Sequence, residues 1–267
     1  MDAVSGELLY GVKEWVIFAA LIGLILSATE IGFQLGRRAR SSTDEPARSE
    51  NITIQAAVLG LLALLLGFTF SISISRYENG KYLVIDESNA IGTTFLRARL
   101  LPEPYRKEVS NLLRRYVDVL LEFYGAGIDK RKLQEVKDEA ERMQNELWSH
   151  AVEVGEKDLR AVTTGLFIQS LNEVIDLHAK RLWYMENHVP EIIFIVLYGV
   201  SIMSMGLVGY GCGLEGHRNL ISTVTAAILI ASVILVIVDL DRPGLGLIKV
   251  SQQSLIRLQD NLNKIAP

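Results

Sequence analysis

The sequence predicts an all-α membrane protein, with four transmembrane helices and a soluble helical block between the second and third. Three observations carry that reading. The 267 residues are 49% apolar with a mean hydropathy of +0.26, high for a chain folded wholly in water. The apolar residues are bunched into windows of about 20, the length a helix needs to cross a hydrocarbon core, at residues 14–35, 52–75, 191–212 and 220–239. Between the second and third windows, residues 103–189 are polar, with apolar residues recurring every three or four positions, the period of amphipathic helices.

Residues 1–13 form a short polar lead. The first window does not read as a removable signal, because its apolar run is long, no basic stretch precedes it, and Glu30 and Gln34 stand near its end. There, Gly32-Phe-Gln-Leu-Gly36 has the small-xxx-small spacing that lets another helix approach closely, although two glycines near a helix end also occur by chance. Arg37, Arg38 and Arg40 follow, and a polar Ser/Thr/Asp/Pro loop is expected to run to Glu50.

The second window is rich in Ala, Leu and Gly from Ala56 to Gly67 and closes on Phe68-Thr-Phe-Ser-Ile-Ser-Ile-Ser75. At about 100° per residue, Phe68, Ser71 and Ser75 share one face, and Thr69, Ser73 and Arg76 an adjacent one. Such hydroxyls either bond back to their own helix or to a neighbour, or line a water-filled path, with Phe68 or Phe70 as its apolar constriction. The same helix is expected to continue without a break as far as Pro102.

In the soluble block, Val109, Leu112, Leu113, Tyr116, Leu120 and Phe123 form one apolar stripe, stopped by Gly125-Ala-Gly127. Leu133, Val136, Ala140, Met143 and Leu147 form a second, giving a hairpin of amphipathic helices. A third helix is expected from about Asp158 to Asn187, with Leu159, Val162, Leu166, Leu171, Val174 and Leu177 on its buried side. Pro190 opens the third span, a favourable first-turn residue. That span ends Gly206-Leu-Val-Gly-Tyr-Gly-Cys-Gly213, a stretch that packs closely or bends, and His217 and Arg218 mark a short loop. The fourth span ends at Asp239-Leu-Asp-Arg242, and residues 252–263 read as an amphipathic helix through Leu255, Ile256, Leu258 and Leu262. The chain thus divides into 1–75, 76–189, 190–240 and 241–267.

Composition narrows the chemistry. A net charge of −4 gives no reason to expect nucleic acid as a partner, and the single cysteine, Cys212, forms no intrachain disulfide framework and no cysteine-rich metal site. The four histidines (150, 178, 188 and 217) never pair at i, i+4, so a histidine metal site within one helix is not expected. Neither a nucleophile elbow nor a phosphate loop, zinc signature or dinucleotide fingerprint is present. No enzyme, cofactor or resident metal is therefore expected.

Three polar clusters stand out: Asp86, Glu87 and Asn89 beyond the second span; Asn172, Asp176, His178 and Arg181 on the last soluble helix; and Asp239, Asp241 and Arg242 after the fourth span. All three are expected near one side of the membrane. Each is either a salt-bridge network or an ion vestibule or divalent-cation site, since carboxylates and carbonyls suit hard cations. A buried carboxylate without a partner would cost several kcal/mol, so Arg76, Arg181 and Arg242 are the expected partners. Glu30 is either an ionisable group inside the membrane, hence a functional candidate, or a wet interfacial residue near Arg37 and Arg38. Basic residues near the spans number five on the side of loops 36–48 and 213–219 and seven on the other, a count that favours a cytoplasmic soluble block.

The run Leu65-Leu-Gly-Phe-Thr-Phe-Ser-Ile-Ser-Ile-Ser-Arg-Tyr resembles the signature of the bacterial bestrophin-like domain family. So do Asp86-Glu-Ser-Asn-Ala-Ile-Gly, Leu100-Leu-Pro-Glu-Pro, Leu171-Asn-Glu-Val-Ile-Asp-Leu-His-Ala-Lys-Arg, Asn187-His-Val-Pro and Asp239-Leu-Asp-Arg-Pro. The family is distantly similar to bestrophins, pentameric anion channels whose second membrane helix lines an axial pore narrowed by apolar residues. The resemblance implies a multi-pass protein of the bacterial inner membrane, in contact with lipid, self-associated as a homo-oligomer (a pentamer by this resemblance) and passing inorganic ions. It makes Phe68, Phe70, Ile72 and Ile74 neck candidates, with Ser71 and Ser75 lining wider parts. One departure concerns calcium. Calcium-gated bestrophins carry an acidic run after the fourth span, where only Asp239 and Asp241 stand here. A second concerns the ion, because Asp86 and Glu87 would favour cations if they faced the axis. The leading reading is a homo-oligomeric ion channel with selectivity open between anion and cation. The alternative is a non-conducting membrane scaffold or signalling adaptor, and a secondary transporter lacks the inverted-repeat signal.

Overall fold

The computed structural model describes residues 14–125, 130–157, 161–242 and 246–265. The polar lead, the Ala126-Gly127 stop, the Asp158-Leu159 start of the third soluble helix, and Pro243 to Leu245 lie outside the described residues. Within them the chain is α-helical, in eight helices: α1 Glu14–Ala39, α2 Glu45–Ala98, α3 Tyr105–Gly125, α4 Lys130–Lys157, α5 Ala161–Glu186, α6 Glu191–Glu215, α7 Leu220–Leu240 and α8 Gln253–Lys264. Four of the helices are long and apolar enough to cross a membrane. The chain forms two compact units, a membrane unit (Met1–Arg76 with Val189–Arg242) and a soluble unit (Tyr77–His188 with Pro243–Pro267).

In the membrane unit, α1 packs along α6 and α7. The α1–α6 seam is made of glycines whose missing Cβ atoms let backbones touch. A Cβ at Gly32 would overlap the Gly206 carbonyl, one at Gly36 the Tyr210 carbonyl, one at Gly209 the Thr29 carbonyl and one at Gly213 the Phe33 carbonyl. The Gly32–Gly36 pair and the glycine-rich end of α6 are thus two halves of one contact. Both lie where lipid is as apolar as any side chain and close van der Waals fit must hold helices together. Leu21, Ile25, Leu62, Phe194, Leu197, Ala227, Ala231, Ile234 and Ile237 fill the rest of this core. Outward, Leu24, Ile31, Ile195, Met203, Ile221 and Leu229 are exposed, the apolar outer surface of a bundle bathed in lipid.

Helix boundaries follow local chemistry. The Asp44 carboxylate accepts the Ala47 amide at 3.2 Å, an N-cap that starts α2 at Glu45 rather than after Glu50. Residues 45–50, expected as loop, are its first turns, because Asp-Glu-Pro places a cap, an acidic residue and a proline where a helix start favours them. The side chain of Asn219 accepts the Ser222 amide at 3.2 Å and caps α7. Gly216, at φ 78°, closes α6 with its N–H on the Cys212 and Gly213 carbonyls, a left-handed conformation that glycine adopts without penalty.

The soluble unit has a conventional core. The predicted α3 stripe (Val109, Leu112, Leu113, Tyr116, Leu120, Phe123) is buried throughout, as are Val136, Ala140, Met143 and Leu147 of α4. On α5 the buried face is shifted from the expected one. It runs through Phe167, Leu171, Val174, His178 and Arg181, and Val162 and Leu166 are exposed. Extending the Leu171–Val174 ridge upstream by steps of three and four leads to Phe167 and Thr164; Leu166 stands about 140° away from Leu171. Leu255 and Leu262 of α8 are buried in the same core, whereas Ile256 is exposed.

Candidate functional site

The membrane half of α2 has a covered ridge and an open face. Leu62, Thr69 and Ser73 are buried, and the Thr69 hydroxyl donates to the Leu65 carbonyl at 2.7 Å. Ser73 is fully buried and its Oγ has no hydrogen-bond partner. Phe68, Ser71 and Ser75 are exposed and lie roughly opposite this ridge at about 100° per residue. Phe68 is the most open apolar residue here at 61%, against 46% for Ile72, 38% for Ile74 and 37% for Phe70. The wheel separates the neck candidates. Phe68 stands on the open line with the two serines, and Phe70 and Ile74 stand on one flank and Ile72 on the other.

At the end of α7, the Asp241 carboxylate is buried. It accepts Arg76 Nε at 2.8 Å and the Val189 amide at 3.1 Å to each oxygen. Asp241 is itself the C-cap of α7, where a negative charge meets the unfavourable end of the helix dipole. Arg76, and the Val189 N–H just ahead of the α6 start, offset that cost. Asp239 and Arg242 are buried on the same turn.

The soluble unit holds a second buried carboxylate. Glu87 is fully enclosed. One oxygen lies 3.2 Å from His178 Nδ1 and the other accepts Arg181. Arg181 also donates to the Gln252 side-chain oxygen and lies over the Tyr124 ring, 3.4 Å from its centroid, a cation–π contact. Tyr116 meets His178 edge-on at 6.0 Å between centroids, and its hydroxyl accepts Gln144 Nε2 at 2.8 Å. Burial, and secondarily the Glu87 charge, holds both the Tyr116 and Tyr124 phenols well above their ordinary range. Two atoms in this network, His178 Nε2 and the Tyr124 hydroxyl, are buried without a hydrogen-bond partner.

The remaining sequence candidates are at the surface or on another contact. Asp86 and Asn89 are exposed, one and two residues from the enclosed Glu87, so the adjacent carboxylates of Asp86 and Glu87 have opposite environments. Asn172 donates to Asp176 at 3.1 Å on an exposed turn of α5. Glu30 pairs with Arg218, whose guanidinium lies 4.7 Å from the Phe33 ring centroid. Within the soluble unit, Glu87 of the first polar cluster therefore meets His178 and Arg181 of the second. Among the described residues, no group of three or more His, Cys, Asp or Glu side chains is placed to hold a metal ion. Sequence reasoning missed Gln252, Gln144, Tyr124 and the Val189 amide. Tyr116 belongs to the predicted α3 stripe, but nothing in sequence spacing points to the other four.

A bundle of membrane-crossing helices, one of them running for 54 residues into a helical soluble unit, defines an all-α multi-pass membrane protein. The sequence matches the Bestrophin-like domain over residues 16–255, and the chain belongs to that family. Crystal structures of a bacterial bestrophin homologue from Klebsiella pneumoniae share the fold. One, phased on zinc, matches with TM-score 0.64 at 17% identity, covering 94% of this chain and 97% of that one. Two single-substitution variants match with TM-scores 0.64 and 0.65 at 16% identity, each covering 91% of this chain and 98% of the other. A comparison with curated proteins finds no match.

Proposed function

We propose that the protein is a homo-oligomeric ion channel in which the open face of α2 lines an axial pore and Phe68 forms its narrowest apolar ring. The observation that carries this reading is the composition of that face. Two serines and a phenylalanine stand exposed on a membrane helix, away from its own bundle. Hydroxyls aimed into lipid are unfavourable, whereas hydroxyls and an apolar ring around a water-filled axis are what a gated pore requires. Ile72 and Ile74, on the flanks, then meet neighbouring subunits. Membership of the bestrophin-like family supports the channel class, and a pentamer is the assembly we infer from it. The basic-residue count supports a soluble unit on the cytoplasmic side of a bacterial inner membrane.

The enclosure of Glu87 bears on selectivity. Its charge is matched by Arg181 inside the soluble unit, which removes it from any ring of carboxylates around the axis. Asp86, exposed, is the residue of the pair that can reach permeating ions. We infer a pore in which Asp86 tunes selectivity and Phe68 sets conductance.

Purified protein in liposomes should pass small ions, and Phe68→Ala should raise the flux several-fold while Phe68→Trp lowers it. Asp86→Asn should move the anion-to-cation permeability ratio toward anions. A monomer in mild detergent, or vesicles that pass no ion with either the unmodified chain or the Phe68→Ala variant, would overturn the proposal.

A further inference from the structure

We propose that Glu87, His178, Arg181 and Gln252 form a proton-sensitive latch holding the C-terminal segment, residues 246–265, on the soluble unit, and that protonation of His178 loosens it. The segment is tied down at two ends. Its first part is held by polar contacts to the buried cluster and by buried Leu255. Gln252 accepts Arg181 and returns its own Nε2 to the Val250 carbonyl at 2.9 Å, and Ser88, beside Glu87, donates to the Ser254 carbonyl at 3.0 Å. Its last part is held by Arg114, which donates to the Leu262 carbonyl at 3.1 Å and the Ile265 carbonyl at 2.7 Å, and by buried Leu262. A guanidinium keeps its charge in proteins, so of the two ties only the first includes a group that can take up a proton.

The groups facing His178 come from every element around it: Glu87 of α2, Tyr116 of α3 with Gln144 of α4 on its hydroxyl, Arg181 one turn along α5, and, on the far side of Arg181, Tyr124 of α3 and Gln252. With its proton on Nδ1, neutral His178 donates to Glu87 and leaves Nε2 as a bare acceptor. The charges are then balanced, Glu87 against Arg181. Protonation places an N–H at Nε2, a buried atom that has no hydrogen-bond partner, and adds a second cation around a single carboxylate. The new donor is buried without an acceptor, and the second cation stands on the same helix as Arg181, three residues before it. Arg181 is the member that gives way, because beyond Glu87 its contacts are to neutral groups, the Gln252 amide and the Tyr124 ring. Its withdrawal frees Gln252 and the start of α8.

Amide hydrogen exchange on the full chain in nanodiscs tests this, compared between pH 8 and pH 5.5 after correction for the intrinsic chemical rate; histidine changes charge across roughly this range. Amides of residues 253–258 should exchange at least about tenfold faster at the lower pH, with those near 262–265 unchanged. In His178→Gln, whose amide still reaches Glu87 but does not titrate, the difference should vanish. Persistence of the difference in His178→Gln, its absence in the unmodified chain, or uniform acceleration along the whole segment would each overturn the latch. Should His178→Gln fail to fold, Gln252→Ala decides: fast exchange at both pH values supports the latch, and an unchanged pH difference refutes it.

Discussion

Glu87 and Asp241 are both buried carboxylates, yet the two units neutralise them by different means. In the soluble unit Glu87 is met by side chains, Arg181 and His178, that arrive from a helix 91 and 94 residues away in sequence. In the membrane unit Asp241 is met by Arg76 and by a backbone donor, the Val189 amide beside the α6 start. The same contrast runs through the packing. The soluble unit is filled by Tyr116, Phe95, Phe167, Leu120 and Leu147, which gain by leaving water. The membrane unit joins α1 to α6 through Gly32, Gly36, Gly209 and Gly213, because an apolar side chain gains little by exchanging lipid for protein. Backbone proximity does in lipid what side-chain burial does in water.

The largest effect should come from the glycine seam. Gly209→Leu drives a side chain into the Thr29 backbone, which cannot move aside, and overpacking that costs about 1–3 kcal/mol in a yielding core should here exceed that range. Thermal unfolding in detergent should show a large loss, or no folded protein. Gly165→Ala in the soluble unit, where an added Cβ meets nothing, should instead stabilise by up to about 1 kcal/mol. Equal effects at both positions would erase the contrast.

Next in size is the buried pair. Removing the Glu87 charge with Glu87→Gln leaves Arg181 buried and unmatched, a loss of about 3–5 kcal/mol. The double variant Glu87→Gln with Arg181→Met should recover much of it, and a double-mutant cycle by chemical denaturation measures the coupling. Strict additivity would mean that the two side chains do not act as a pair.

The smallest effect is alkaline. The Tyr116 and Tyr124 phenols are raised by burial and by Glu87, so unfolded chains release those protons first, near the ordinary value of about 10. Their contribution is whole below that pH and is lost as pH climbs above it. Circular dichroism between pH 9 and 12 should show stability falling. In Tyr116→Phe the slope should be shallower by up to about 1.4 kcal/mol per pH unit, alongside a loss of about 1 kcal/mol at neutral pH from the vacated Gln144 contact.

Much of the architecture was legible from residue order. The four spans, the unbroken passage of the second into water, the α3 stripe through Tyr116 and the amphipathic C-terminal helix all rest on hydropathy and period, which are properties of single segments. The α5 face differs from expectation because Leu166 and Phe167 are both apolar, and only the partner helices decide which of them is covered. The α2 start lies earlier than expected because a polar stretch reads as loop until the Asp44 cap is weighed.

Sequence by itself determined which segments are helices, which can live in lipid, and which residues could carry charge inside the fold. Tertiary structure decided what those charges meet. The sequence marked Arg76 and Arg181 as partners for buried carboxylates, but nothing in the order of residues says which carboxylate each meets, that Asp86 is exposed and Glu87 enclosed, or that Gly209 lies against Thr29. Periodicity is local and follows from the geometry of one helix, whereas pairing depends on distances between helices far apart in the chain, set only once all of them pack together.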